Sequence, residues 1–505
     1  MSIERRYTAE RFPEGTFTDA QVPGGALRRR DVLRGLFSWT GGGLGTAAFL
    51  SLLSRDGLLA SEADGASGAA PASSGRAARA KRVIHICLCG GLSHIDSFDY
   101  KPALAHLHGK SLQTDERPDV FFGRVGLLRQ SDWQFRRRGA SGRWMSDLFP
   151  YIGGVADELT MIHSMFAESS SHTPATFQEN TGFRFNGFPV LGSWVSYGLG
   201  TENDELPAYV VLPDSRGLPA GTVSNWTNGF LPGRHQGVPF RSEGAAIRDL
   251  NPAREIAPQV EERGRSLLAK LNQLHLDRRG SEDSLVARMH AYELAARMQL
   301  AVPDVTAVRT ETQATRDLYG LERDECLDFG GRCLLARRLV ERGVRFVQLF
   351  SGGAFGSPRI NWDGHEDMVR NHTREAARVD QPIAGLLRDL RQRGLLDETL
   401  VLFTSEFGRT PFTQSGDNTV GTGRDHNQEG FTVWLAGAGL RRGASYGATD
   451  DVGYRAVKDR VHWNDFHATV LHLMGIDHEH LTYYHNGIQR RLTNVGGNVL
   501  RDILA

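Results

Sequence analysis

The 505-residue chain has equal Lys+Arg and Asp+Glu totals of 59 and no formal net charge. With no long block of one sign either, bulk electrostatic binding to nucleic acid has no basis. The length suits one large α/β domain with insertions, or two domains, and four cysteines in so long a chain exclude a disulfide-built scaffold.

Residues 28–53 read RRRDVLRGLFSWTGGGLGTAAFLSLL: Arg29 and Arg30 precede a modest apolar run from Gly35 to Leu53, with no acid after Asp31. We read residues 1–53 as a twin-arginine export signal with an N-terminal extension. The competing reading is an amphipathic helix, which three successive glycines would weaken. Residues 54–81, rich in Ala, Gly and Ser, bury too little apolar surface to order themselves and read as a disordered linker. The expected export partner is the twin-arginine translocase and the expected location periplasmic or extracellular. Gly35 to Leu53 is long enough to span a bilayer, but its glycines make it a poor span, so no stable membrane span is expected after processing.

Residues 82–505 read as one domain of alternating strands and helices. Strands are expected at 83–89, 159–164, 208–213, 344–350, 399–405 and 431–439, where β-branched apolar residues run together. Helices are expected at 284–301, 331–343, 379–394 and 466–475, with apolar residues at helical spacing and Gly after three of the four. This alternation argues a doubly wound, mainly parallel sheet covered on both faces. Residues 214–283, rich in Gly and Pro at their start and without a clear period, read as an inserted cap. Cys87 and Cys89 are read as facing opposite sides of the first strand and as poor disulfide partners.

Ligands of such sheets gather beyond the carboxyl ends of the strands, where several acid and imidazole side chains fall. Asp96 or Asp99 follows the first strand, Asp363 and His365 share the INWDGHEDM segment, and Glu406 follows the fifth strand. Asp425 and His426, in GRDHNQEG, precede a strand and would reach the same rim from a loop. Carboxylate oxygen and imidazole nitrogen together hold divalent ions that act as Lewis acids. Any one such pair taken alone is more simply a turn cap or surface ion pair; recurrence at strand ends singles these out. In SSSHTPAT, Thr173 reads as an N-cap with Pro174 at the first helical position. His467 and His472 read as packing or capping residues, and Trp362 as a wall of the site.

The segments GGLSHIDSFDYKP, SHTPATFQENTG, NWDGHEDM, GLLDETLVLFTSEFGRTP, GRDHNQEG, YGATDDVG and HATVLHLMGID together resemble the bacterial family known as domain of unknown function 1501. Through it the chain from about 82 to 503 is similar to the alkaline phosphatase and sulfatase superfamily. The resemblance implies an alkaline phosphatase-like α/β/α sandwich with a metal site at the carboxy rim. It maps metal ligands onto Asp96 (or Asp99), Asp363, His365, Glu406 and His426, with Asp425 as a ligand or as a partner orienting His426. Glu406-Phe407-Gly408 stands where the superfamily carries Asp-His-Gly, and Phe407 cannot bind a metal, so one or two ions are both open. His172 matches the recurrent His-x-x-Ala element, Thr173 is the candidate attacking group, and Arg409 would pair with an oxyanion or with Glu406. No Cys-x-Pro-x-Arg segment is present, so formylglycine chemistry is not expected. The implied activity is an exported metal-dependent hydrolase of phosphate or sulfate esters, acting on a small-molecule or polysaccharide substrate. Zinc is the favoured ion, with manganese, calcium and iron as alternatives. The rival reading is a catalytically degenerate member that binds glycan or a surface partner.

Overall fold

A computed structural model describes residues 78–505 apart from 115–116, 119, 242–245, 248–249, 251–256, 280–282, 354, 356–358 and 417. The export-signal reading of 1–53 and nearly all of the 54–81 linker reading lie outside the described residues.

In chain order the strands of the main sheet and of a ribbon beside it are β1 (Arg82–Leu88), β2 (Leu159–Phe166), β3 (Tyr209–Leu212), β4 (Val238–Pro239), β5 (Phe346–Ser351), β6 (Thr399–Ser405), β7 (Gly408–Thr413), β8 (Arg424–Asn427), β9 (Phe431–Gly437), β10 (Ser445–Tyr446) and β11 (Val461–His462). The main helices are α1 (His172–Thr181), α2 (Pro258–Arg279), α3 (Asp283–Thr306), α4 (Asp324–Glu341), α5 (Met368–Gln392) and α6 (Trp463–Leu473). All six expected strands form, and all join one sheet of order β10-β2-β9-β6-β1-β5-β3-β4, with β11 beside β2. Pairings along β6-β1-β5-β3-β4 are parallel, and β9 runs antiparallel to both β6 and β2.

β1 shows why the sheet is buried on both faces. Ile84, Ile86 and Leu88 enter a core shared with α4 and α5, while Val83 and Cys87 enter a second core shared with α6. Such two-sided burial is what continuous apolar runs in parallel strands require. Cys89 belongs to the same core as Cys87, which corrects the opposite-face reading: residues two apart on a strand share a face. All four cysteines are buried free thiols.

Two local expectations also change. GRDHN is not a loop, because Arg424–Asn427 pairs antiparallel with Gly408–Thr413 as a separate two-stranded ribbon. The helix of SSSHTPAT starts at His172 with Ser171 as its cap, so Pro174 lies in the first turn, where a missing N–H leaves no intrahelical bond unmade. Within 214–283, β4 pairs at the sheet edge through Val210 and Val211, and α2 leaves Leu267, Leu271 and Leu274 exposed.

Candidate metal centre

β1, β5 and β6 stop in register, with Leu88 beside Ser351 and Ser405, and the turns beyond them build the centre. Gly90 adopts φ +122°, and a Cβ placed on it would lie 2.5 Å from the backbone N of Asp363. Only glycine combines that dihedral with so close an approach. The N–H of Trp362 donates to the Cys89 carbonyl at 2.9 Å, and the buried Arg409 of β7 donates to the carbonyls of Gly90 and Gly91. These bonds fix Asp363 against the end of β1.

Four functional side chains then meet. Oδ1 of Asp363 lies 2.7 Å from His365 Nε2, 3.2 Å from His426 Nε2, 3.4 Å from His172 Nε2 and 2.7 Å from Arg409 Nη2. His365 Nε2 and His426 Nε2 are 2.8 Å apart, and one potential ligand atom from each of the four residues falls within a 4.8 Å group. Arg359 pairs with the other oxygen of Asp363.

The outer nitrogens decide the protonation pattern. Nδ1 of His426 lies 2.5 Å from the carbonyl oxygen of Ser170, which can only accept, so Nδ1 carries the proton and Nε2 presents a lone pair. His172 Nδ1 donates to Glu406 Oε1 at 2.9 Å, and the same oxygen accepts the Gly90 N–H at 2.8 Å. His365 Nδ1 is bonded to Gln414 Oε1. Imidazoles anchored at one nitrogen by a carbonyl or carboxylate are the arrangement that presents the other nitrogen to a metal. His365 Nε2 and His426 Nε2 can share only one proton across their 2.8 Å, and His172 Nε2 is buried without a hydrogen-bond partner. A cation among them would engage all three nitrogens and the Asp363 carboxylate, so the residues fit a divalent ion.

Electrostatics agree with the geometry. Burial opposes the charge on Asp363, but Arg409 and then His172, His365 and His426 outweigh it and hold the carboxyl far below its usual range. Burial, reinforced by Arg409 and the two neighbouring imidazoles, pushes His426 well below the ordinary histidine value and keeps it neutral. Burial also opposes charge on His172, but the Asp363 and Glu406 carboxylates beside it raise its pKa; a proton there partly answers the two carboxylates.

Of the residues singled out in the sequence, His172, Asp363, His365 and His426 come together. Glu406 supports His172 from outside the four. Asp96 is buried against Arg424 (2.9 Å) and accepts the Ser93 hydroxyl (2.5 Å), while Asp99 pairs with Lys101 at 3.1 Å. Asp425 accepts the N–H of His426 at 2.8 Å through Oδ1 and that of Phe122 at 2.9 Å through Oδ2. Thr173 is exposed on the first turn of α1. Arg409 bonds Asp363 rather than Glu406.

The sequence reading missed Arg359, Arg424, Gln414 and the phenylalanines around the imidazoles: Phe121 and Phe407 against His426, Phe122 against His365 and Phe355 against His172. Arg424 gave no signal in the sequence, because GRDHN reads as a polar loop and becomes a buried strand only beside Gly408–Thr413. A second group, His85, Cys87 and Glu179, is also compact enough to consider. There the Thr404 hydroxyl donates to Glu179 and lies 2.8 Å from His85 Nε2. That nitrogen must therefore be the donor, which places the lone pair of His85 on Nδ1, a buried nitrogen without a hydrogen-bond partner.

Taken together, the fold and the centre describe a mostly parallel α/β/α protein with a histidine–carboxylate cluster at the carboxy rim of its sheet. The chain belongs to the family described as protein of unknown function (DUF1501), whose model matches residues 80–504. No curated protein matches it. It is similar to the solved lipoteichoic acid synthase LtaP from Listeria monocytogenes (10% identity, 82% of this chain and 74% of that one, TM-score 0.35). It is also similar to the PsFucS1 sulfatase from Pseudoalteromonas sp. (14%, 81% and 74%, TM-score 0.33) and to alkaline phosphatase from the Antarctic bacterium TAB5 (11%, 75% and 96%, TM-score 0.32). Among the described residues, no helix is long and apolar enough to cross a membrane.

Proposed function

We propose that the chain is an exported hydrolase of phosphate or sulfate esters that works with one divalent ion held by His172, Asp363, His365 and His426. The carrying observation is the convergence of anchored imidazole nitrogens on one carboxylate oxygen, with 2.8 Å between two of them. A single ion is favoured because the buried Asp96, the remaining candidate for a second, is already neutralised by Arg424. Zinc suits the three-nitrogen, one-oxygen set best.

The ion would supply Lewis-acid polarisation of the ester oxygens. The chain's own residues do the positioning. Arg409 and Arg359 hold Asp363, Glu406 fixes the orientation of His172, and the start of α1, carrying His172, brings the positive end of its dipole to an incoming anion. Thr173 stands on that first turn as the candidate attacking hydroxyl.

Elemental analysis of the purified protein and of an Asp363→Ala, His426→Ala double variant tests the centre: near one equivalent of metal in the first and none in the second is expected, and no metal in either refutes it. A screen of aryl phosphates, phosphodiesters and sulfate esters tests catalysis. Metal-dependent turnover of one class is expected; none on any ester by metal-loaded protein shifts the reading to a binding protein on the same fold.

A further inference from the structure

Phe121 and Phe122 are large apolar side chains left 47% and 49% exposed, yet they sit against two of the four centre residues. The Phe121 ring lies 4.9 Å from that of His426, the Phe122 ring 4.8 Å from that of His365, and the two phenyl rings meet edge to face at 5.0 Å. Their segment is pinned on both sides. Val120 is buried in a small core with Leu128, Phe412 and Tyr454, Gly126 and Leu128 bond to β7 and to the Lys110 carbonyl, and the Phe122 N–H donates to Asp425. Asp425 spends its other oxygen on the N–H of His426. One carboxylate thus ties the position of the aromatic pair to that of a centre residue. The side chains of Asp363, His365 and His426 are only 3, 4 and 1% exposed, against 15% for His172, so His172 is the most solvent-open of the four, and the Phe355 ring packs against it at 4.2 Å.

We infer that Phe121 and Phe122 are specificity-determining residues that stack on a ring carried by the substrate next to its phosphate or sulfate, and that Asp425 is the positioning residue that sets their distance from the centre. This rests on the hydrolase reading above. A pre-placed, half-open phenyl face loses little conformational freedom on binding and gains most from a flat or C–H-rich ring face. An ester of a short alkyl group gives it nothing to cover.

The test is binding, not turnover. Zinc-loaded full chain is titrated calorimetrically with phenylphosphonate, cyclohexylphosphonate and methylphosphonate, which share one anionic head. The wild type is expected to bind one or both ring compounds about tenfold more tightly than methylphosphonate; the tighter of the two separates an aryl from a saturated, sugar-like ring. Phe121→Ala/Phe122→Ala is expected to erase that ratio while retaining zinc and the thermal midpoint. Asp425→Asn, which can accept only one of the two N–H groups, is expected to reduce the ratio as well. Equal affinity for all three compounds in the wild type, or an undiminished ratio in the phenylalanine variant, overturns the inference and leaves the hydrolase reading standing. If none of the phosphonates binds, the hydrolase reading fails first and this one with it.

Discussion

The sharpest consequence of the converging imidazoles is a stability increment that depends on metal and on which carboxylate or imidazole is removed. An ion that binds only the folded chain adds about 4 kcal/mol when free metal is about a thousandfold above its dissociation constant. His426→Ala deletes one of the four proposed ligands. Even removal of an outer partner of a ligand typically weakens a metal site about 10–100-fold, so loss of a ligand should erase about 3 kcal/mol or more of that increment. The control is Asp96→Asn, chosen because Asp96 faces Arg424 rather than the cluster. Arg424 keeps its bonds to the carbonyls of Pro411 (2.9 Å) and Arg129 (3.0 Å), so the cost falls near the low end of the roughly 3–5 kcal/mol for breaking a buried pair. That cost is expected equally with and without metal. Urea midpoints of chelator-treated full chain, before and after adding zinc, manganese, calcium or iron(II), measure both quantities. If no ion shifts the wild-type midpoint, or if Asp96→Asn abolishes the shift as completely as His426→Ala, the metal reading of the cluster is wrong.

Three further outcomes are expected. Glu406→Gln still accepts from His172 and Gly90 and should fold normally, but it anchors the imidazole less strongly, so competition with a chelator should show metal affinity about 10–100-fold lower. Gly90→Ala forces a side chain into φ +122° against Asp363; it should cost about 3 kcal/mol or more, read as a lower thermal midpoint together with lost metal. Asp380 accepts the N–H groups of Tyr151 and Ile152, and its burial pushes its pKa up to about 7. In the unfolded chain the same acid ionises near pH 4, so between about pH 4 and 7 folding takes up a proton and stability falls as pH rises. The wild type should lose up to about 3 kcal/mol from this group between pH 5 and 8; Asp380→Asn should remove that slope in urea titrations at the two pH values.

Much of the architecture was legible because it depends on short-range pattern. VIHICL and TLVLFTS could only be strands buried on both faces, and the apolar spacing of 331–343 could only be a covering helix. Asp363 and His365 were legible because their segment follows a strand of a parallel sheet, where the rim is predetermined. What the pattern did not contain is the pairing of charges across the chain. Asp96 and Asp363 look alike in sequence, but Asp96 meets a guanidinium 328 residues away, and nothing local decides whether a buried acid meets arginine or an ion. The register of β7 with β8 was equally hidden: GRDHN is polar, and it becomes a buried strand only because Gly408–Thr413 lies alongside. Phe121 and Phe122 belong to a segment without period whose position comes from long-range anchors at Val120 and Leu128. The export reading rests on residues outside those described.

Glu406-Phe407-Gly408, which the resemblance set apart because Phe407 cannot bind a metal, has a consistent physical role in this chain. Phe407 cannot ligate, but its fully buried ring packs 4.4 Å from His426 and 5.1 Å from His172, restricting two of the imidazoles that converge on Asp363. Glu406 fixes the proton of His172 and ties it to the turn after β1. Gly408 lets β7 pass His94, whose Nδ1 would lie 2.5 Å from an added Cβ. All three residues hold the imidazoles of the cluster in place, and the positive charge beside Asp96 is provided by Arg424. On the proposed reading, this is what a one-ion centre requires: Phe407 packs two of the imidazoles that would hold the ion, and Asp96 is satisfied by Arg424 without a second one.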